Sequence, residues 1–153
     1  MSGRRTEVGG AQDDSPSGTP YTQSAMTAPI LTIEILSDEL AVCRLPVDAA
    51  VPNWVWTGEF TSITCTDDEL SLVCAADSVP DGVRHTPGWR ALRIRGPLDF
   101  SLVGILAGIS GVLAGAAISI FAISSYDTDT ILIRCEQLES AVDALCTAGY
   151  DVV

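Results

Sequence analysis

The residues of this chain best suited to chemistry are its cysteines, its acids and its single histidine, His85. Its five cysteines are an odd number, no two have C-x-x-C spacing, and all lie in apolar stretches: Cys43, Cys65, Cys74, Cys135 and Cys146. This pattern predicts small buried side chains in a reducing compartment, with a disulfide or a reactive thiol as the alternative. Because no ligand residues are grouped around His85, we expect a surface position for it, no metal site and no cofactor.

Pairs of acids could serve acid–base catalysis, but in this sequence they lie where solvation explains them. Asp67 and Asp68 occupy a predicted turn, and Asp13 and Asp14 lie near the N-terminus. The sequence has no nucleophile beside a base, no phosphate-binding loop and no metal-ligand spacing. We therefore expect that the protein is not an enzyme.

The balance of charge restricts the possible partners. Twenty acids oppose eight arginines, there is no lysine, and the net charge is −12 over 153 residues. Such a chain should repel nucleic acid and anionic lipid headgroups. Residues 1–29 are rich in Gly, Ser, Thr and Pro without apolar periodicity, which predicts a disordered tail. Because this segment lacks the apolar run of a secretory signal, we expect a cytoplasmic protein.

Alternating apolar residues predict the strands that would position any site. The predicted strands are 30–36, 40–45, 59–66, 70–76, 89–96, 118–126, 130–135 and 151–153. The first two should form a hairpin about a turn at 37–39. An amphipathic helix is predicted over 136–150, with Gly149 as its C-terminal stop.

Residues 100–126 carry no charged side chain and allow two interpretations. A membrane span over 102–123 is favoured by length and by the G-x-x-x-G pairs Gly104/Gly108 and Gly111/Gly115. Helical periodicity ends near residue 116, however, so the helix is about 14 residues or ~21 Å long, against a hydrocarbon core of ~30 Å. We favour a helix and a strand packed on a sheet. The glycines of this helix either allow a second backbone or a ligand to approach it closely, or simply end the helix.

The order of predicted elements is β-α-β-β-α-β in 89–153, and a looser version of it precedes. This order predicts an α+β protein of ferredoxin-like units in tandem, with an antiparallel sheet and its helices on one face. The expected division is a tail at 1–29, a degenerate unit at 30–88 and a second unit at 89–153.

The segment GPLDFSLVGILAGISGVLAGAAISIFAISSYDTDTILIRCEQLESAV, from Gly96 to Val142, resembles the ACT domain, a small-molecule sensor module. LDF opens the helix, AAISIF leads into the second strand, SSYDTDTILI forms the hairpin, and EQLESAV begins the last helix. The chain looks most similar to the subgroup of cytosolic arginine sensors and their short bacterial relatives. The similarity extends over about 30–153 and is weaker in the first half, where the helices are short and glycine-poor.

The resemblance implies a non-catalytic regulatory module that binds an amino acid where two ACT units meet. We expect the protein to form a homodimer or another homo-oligomer. The ligand's amino and carboxylate groups would bond to the backbone at the start of the first helix and of the second strand. Those positions are Asp99, Phe100, Ser101 and Gly104, then Ser119 and Ile120. Asp129 matches a family position where an acid can face the ligand.

Elementary electrostatics is compatible with these roles. The unpaired N–H groups at a helix N-terminus suit a carboxylate, and Asp129 could pair with an ammonium group. Asp129 could equally be a turn residue, Asp99 a helix cap, and Ser119 a product of strand alternation. Two functions remain as alternatives to amino-acid binding: a structural homodimerisation module without a ligand, and a small membrane-associated protein spanning at 102–123.

Overall fold

Eight strands and two α-helices occur in the residues that the computed structural model describes, 31–99 and 101–153. The strands are β1 (Thr32–Ile35), β2 (Leu40–Leu45), β3 (Ser62–Cys65), β4 (Leu70–Ala75), β5 (His85–Ile94), β6 (Ile120–Ser124), β7 (Asp129–Arg134) and β8 (Asp151–Val152). The helices are α1 (Ile105–Gly115) and α2 (Leu138–Thr147). The tail predicted at 1–29 lies outside the described residues.

Strand β5 is ten residues long and joins the two halves of one sheet. Along one edge its first part pairs with β2 and its last part with β1, while β7 pairs with the other edge. The hairpin predicted for β1 and β2 is therefore wrong, since both strands pair with β5 rather than with each other. Because β5 is ten residues long, β1 and β2 can both pair with the same edge of it, one after the other. The turn at 37–39 therefore connects two strands that lie end to end along β5.

The two halves of the sheet have a similar strand order: a hairpin, then the first strand of the half, then its last strand. In the N-terminal half this order is β3-β4-β2-β5. In the C-terminal half it is β6-β7-β5-β8, except that β1 is inserted between β5 and β8. Short 3-10 turns at Asn53–Trp56 and Ala76–Ser78 replace helices in the first half. In the second half β1 lies between β5 and β8, and β8 pairs with it in parallel. The α+β class and the ferredoxin-like fold predicted from the sequence are confirmed.

The uncharged stretch forms a helix and a strand rather than one continuous helix. Helix α1 ends at Gly115, Ala117 has a φ of +57°, and β6 begins at Ile120. The N–H of Ile118 donates to the Leu113 carbonyl at 2.9 Å and closes the helix end. Within the described ranges, no helix is long and apolar enough to cross a membrane.

Both helices pack on one face of the sheet, as predicted. Helix α1 contributes Ile109 and Leu113, and α2 contributes Ala141 and Leu145, all 0% exposed. These side chains contact buried strand residues, namely Ile33, Leu92, Ile94, Ile131 and Ile133. Because side chains alternate along a strand, neighbouring residues on the opposite face form a separate cluster, which includes Leu36, Leu40, Val73, Ala91 and Leu132.

The five cysteines are free thiols that differ in burial. Cys43 and Cys74 are buried, as predicted, but the prediction is wrong for Cys65 and Cys146, which are exposed, and Cys135 is half-buried. Burial raises the pKa of the Cys43 thiol to about 12 and also raises that of Cys74. The thiolate is the reactive form, so the two buried cysteines should be inert in the folded protein.

We expect a maleimide at neutral pH to label Cys65 and Cys146 rapidly in the native protein. Cys43 and Cys74 should react only after unfolding, because they are both inaccessible and protonated. Mass spectrometry of the labelled peptides checks this pattern, with the denatured protein as the control for complete labelling. Rapid native labelling of Cys43 would contradict the burial of β2 in the core.

Candidate functional site

A cavity of about 330 Å³ lies where the N-terminus of α1 meets the turn between β6 and β7. One wall is the loop after β5 with the first turn of α1, and the other wall is the β6–β7 turn. We call it the helix-start cavity, and its lining residues are Leu98, Asp99, Leu102, Gly104, Ile105, Leu106, Ala107, Ser124, Ser125, Tyr126, Asp127, Thr128 and Asp129. Its volume is at the lower end of the range for small-molecule sites.

The two walls of the cavity are held together where the loop 95–99 crosses the β6–β7 turn. The N–H of Leu98 donates to the Asp127 carbonyl at 2.8 Å, and the Thr128 hydroxyl donates to the Ile94 carbonyl. Gly96 lies in this contact, and a Cβ atom built on it would be 2.8 Å from the Asp127 carbonyl oxygen. We call this contact the loop crossing. Its close packing fixes the position of one wall relative to the other.

The N-terminus of α1 supplies hydrogen-bond donors to the cavity. The helix follows Gly104, which has a φ of +82°, and no side chain caps it. The N–H groups of Ile105, Leu106 and Ala107 therefore have no carbonyl partner within the helix, and all three residues line the cavity. Unpaired N–H groups and the helix dipole favour negative charge at this position. This wall therefore suits a carboxylate.

Three carboxylates, those of Asp99, Asp127 and Asp129, line the same cavity, and no arginine is among its described lining residues. Hydrogen bonds from the side chain and the backbone N–H of Ser101 hold the pKa of Asp99 below its usual range, so this group is ionised at neutral pH. Asp129 accepts a hydrogen bond from the Ser124 hydroxyl. The cavity thus combines helix-end donors with an excess of negative charge.

The structure brings some of the predicted site residues together and leaves others apart. Asp99, Gly104 and Asp129 line the cavity, and Ser101 lies next to it, donating its N–H to Asp99 at 2.8 Å. Phe100 lies outside the described residues. Ser119 and Ile120 do not line the cavity, because they follow the C-terminal end of α1, which is 11 residues or about 16 Å long.

Ser119 and Ile120 have other surroundings. Ser119 is exposed in the segment before β6, and Ile120 is half-buried, pairs with Ile133 of β7 and packs against the core beneath the helices. Sequence reasoning in turn missed Tyr126, Asp127 and Thr128, which line the cavity from the β6–β7 turn. The only signal at these positions is a turn-forming composition, which does not distinguish a binding turn from any other.

The glycines of α1 are only partly explained by close approach. A Cβ atom at Gly108 would lie 3.0 Å from the Tyr150 hydroxyl oxygen, so a neighbour does pack against this position. At Gly104, Gly111 and Gly115, no atom of the described residues beyond the adjoining residues and the helix backbone lies within 4 Å of such a Cβ atom. The glycines at 111 and 115 therefore leave an exposed face of small residues on α1.

Comparison with known proteins gives matches to both halves of the chain. The sequence profile of the ACT domain matches residues 84–147, and a second profile, described as an N-terminal domain, matches residues 38–82. A search of curated proteins gave no match. Protein Atu0741 from Agrobacterium tumefaciens has a solved structure that is 39% identical in sequence, with a TM-score of 0.77 over 82% of this chain and 94% of that chain.

Two more distant structures share the fold. VC0802 from Vibrio cholerae, described as a possible transport protein of unknown function, is 20% identical, with a TM-score of 0.65 over 77% of this chain and 89% of that chain. The regulatory subunit of aspartate kinase from Thermus thermophilus is 14% identical, with a TM-score of 0.54 over 74% of this chain and 93% of that chain. At these identities the likeness shows the fold alone.

Proposed function

Because the chain belongs to the same family as Atu0741 and carries an ACT domain at residues 84–147, we propose that it is a non-enzymatic regulatory module that binds an amino acid. The observation that carries this proposal is the helix-start cavity, which is lined both by uncapped helix N–H groups and by three carboxylates, among them the ionised Asp99. These two groups are complementary to the carboxylate and the ammonium of an amino acid. The match to the ACT-domain profile supports a regulatory role.

The charges of the cavity favour one class of amino acid. The α-carboxylate of the ligand would accept from the N–H groups of Ile105 to Ala107, and its ammonium would pair with Asp129. Asp99 and Asp127 then remain as further negative charges on the walls. A cationic side chain would balance them, whereas an acidic side chain would be repelled. We therefore propose arginine or lysine as the ligand class.

A second copy of the chain would complete the cavity. Leu102, which lines the cavity, and the next residue, Val103, are 54% and 91% exposed, which is unusual for two adjacent large apolar side chains. The resemblance to the ACT family supports a ligand between two units, so we propose a cytoplasmic homodimer in which a partner copy covers these side chains. The unit at 89–153 would hold the ligand, and the degenerate unit at 30–88 would not.

We expect arginine and lysine to raise the thermal stability of the protein in a screen of the twenty amino acids. A ligand at 100 times its dissociation constant should add about 2.7 kcal/mol to the free energy of unfolding. Asp129→Asn should weaken binding by about tenfold or more, because it removes the charge from one hydrogen bond while keeping an acceptor oxygen. Asp143→Asn removes the same charge from an exposed site on α2 and should leave the affinity unchanged.

Two results of this screen would contradict the proposal. If acidic amino acids stabilised the protein more than cationic ones, the orientation derived from the three carboxylates would be wrong. If no amino acid stabilised it, the second candidate function, a structural homodimerisation module without a ligand, would replace the first. The exposed small-residue face at Gly111 and Gly115 favours that candidate, because it allows close helix packing between copies.

A further inference from the structure

A second cavity lies on the other side of the loop crossing and carries a different charge. It has a volume of about 440 Å³, and its lining residues are Glu34, Arg93, Ile94, Arg95, Gly96, Pro97, Asp127 and Thr128. We call it the arginine cavity. It shares Asp127 and Thr128 with the helix-start cavity, so the loop crossing separates two cavities rather than closing a single one.

The two arginines reach the same cavity because of strand geometry. Arg93 lies in β5, and Arg95 continues the pairing with β1, since its N–H donates to the Thr32 carbonyl at 2.8 Å. Side chains two positions apart on a strand point to the same face, so Arg93 and Arg95 extend from the same face of the sheet and both line this cavity. This convergence is notable in a chain with eight arginines, no lysine and a net charge of −12.

The hydrogen-bond donors of these arginines are largely free. Arg93 donates from Nη2 and Nε to one oxygen of Glu34, Oε2, at 2.7 and 3.3 Å. A guanidinium has five N–H donors, so Arg93 keeps others available. Arg95 is exposed and, in the described part of the chain, its side chain makes no hydrogen bond or ion pair.

The acids of the arginine cavity limit what it can bind. Glu34 is held by Arg93 and offsets the charge of that residue. Asp127 also lines the cavity and opposes an anion, so Arg95 must provide the attraction. This balance favours a small ligand with one anionic group placed between the two guanidinium groups, away from Asp127. By contrast, the described lining residues of the helix-start cavity include three acids and no arginine, so the two cavities should select ligands of opposite charge.

We propose that the arginine cavity is a second binding site, which takes a small oxyanion, a carboxylate or a phosphate group, on Arg95 and the free donors of Arg93. Planar guanidinium groups bind such oxyanions through paired hydrogen bonds. Glu34 holds the Arg93 guanidinium in position, and Arg95 closes on the ligand from the next position on the same face. This site is independent of the proposed amino-acid site, because the two are lined by different side chains apart from Asp127 and Thr128.

The test is an NMR titration of the isotope-labelled protein with inorganic phosphate and, separately, with acetate. Ionic strength is kept constant, because salt screens exposed charges. We expect saturable shifts at the backbone and side chains of Arg93 and Arg95. Arg95→Gln should weaken phosphate binding by about tenfold or more, which is the usual effect of losing a charged hydrogen bond. Arg84→Gln is the matched control, since Arg84 is also exposed and its side chain has no partner in the described ranges.

The two probes distinguish the source of the oxyanion. Saturation by phosphate alone would assign the site to a phosphate-bearing ligand, and saturation by acetate alone would assign it to a carboxylate. Competition between them would show shared oxyanion recognition, and all three results support the site. The proposal is overturned if neither probe shifts Arg93 and Arg95, or if Arg84→Gln and Arg95→Gln weaken binding equally. Neither result would bear on binding in the helix-start cavity, where cationic amino acids serve as the probe.

Discussion

Replacing Leu113 with alanine should lower the free energy of unfolding by about 2–5 kcal/mol. Leu113 lies in α1, is 0% exposed, and belongs to the core cluster between the helices and the sheet. The substitution removes buried apolar surface and leaves a cavity that the surrounding strands can fill only in part. Alanine favours the helix at least as well as leucine does, so the loss reports packing and not helix propensity. Denaturant unfolding followed by circular dichroism measures it.

Leu102→Ala is the matched control for this prediction. It makes the same chemical change in the same uncharged stretch, but Leu102 is 54% exposed. In the monomer, measured at a protein concentration below the dissociation constant of the proposed dimer, its effect on the free energy of unfolding should stay within about 0.5 kcal/mol, as for most surface positions. Equal losses in the two variants would contradict an α1 that packs on the sheet by one face only.

Gly96→Ala should destabilise the protein by about 1–3 kcal/mol, because it places a methyl group in a filled space. The new Cβ atom would be 2.8 Å from the Asp127 carbonyl oxygen and 3.3 Å from both the Leu98 nitrogen and the Thr128 Cβ atom. Backbone atoms of the β6–β7 turn cannot move away without lengthening the hydrogen bond from Leu98 to Asp127. Since the loop crossing holds the two walls of the helix-start cavity, amino-acid binding should weaken as well.

Gly111→Ala is the matched control, because it adds the same methyl group at a position where no neighbouring element is in contact. Apart from the adjoining residues and the backbone of α1 itself, no atom of the described residues lies within 4 Å of a Cβ atom built at Gly111, which is inside α1. Because glycine is a poor helix former, this substitution should stabilise the protein by up to about 1 kcal/mol. Thermal unfolding of both variants should therefore show shifts of opposite sign. A Gly96→Ala variant as stable as the wild type would show that the loop crossing is not closely packed.

Elements with a strong local pattern are those that could be predicted from the sequence. Ile109 and Leu113 recur at helical spacing because one face of α1 is buried, and the β-branched Ile118 and Ile120 mark the change to an extended chain near residue 116. The alternation in β7 predicts its two faces, with Ile133 beneath the helices and Leu132 on the opposite face. Local periodicity is thus enough to place the helices and most strands.

Pairing between distant strands could not be predicted in the same way. The short turn at 37–39 indicates a hairpin, yet β1 pairs with β5 and β8, which lie far along the chain. The start of β5 was also missed, because Pro87 and Gly88 are typical of loops. Both are accommodated in the strand by side chains from elsewhere: Arg134 donates to the Pro87 carbonyl at 2.7 Å, and the Gly88 N–H donates to Glu39 at 3.0 Å.

The candidate site was predictable only in part for a related reason. The loop after β5 and the β6–β7 turn lie at one end of the sheet, which brings Asp99, Gly104 and Asp129 to one cavity. Ser119 and Ile120 are separated from them by the length of α1, a distance that sequence similarity to a family cannot measure. Contacts such as that between Leu98 and Asp127 depend on how two loops cross, and neither loop carries a distinctive pattern.

The most direct test of amino-acid binding in the helix-start cavity is an NMR titration of the isotope-labelled protein with arginine and lysine. We expect saturable backbone shifts concentrated at Gly104 to Ala107 and at Ser124 to Asp129, the residues of its two walls. Glycine and glutamate, which lack a cationic side chain, should bind more weakly at the same residues. Shifts confined to other parts of the molecule, or no saturable shift with either cationic amino acid, would contradict the proposed function.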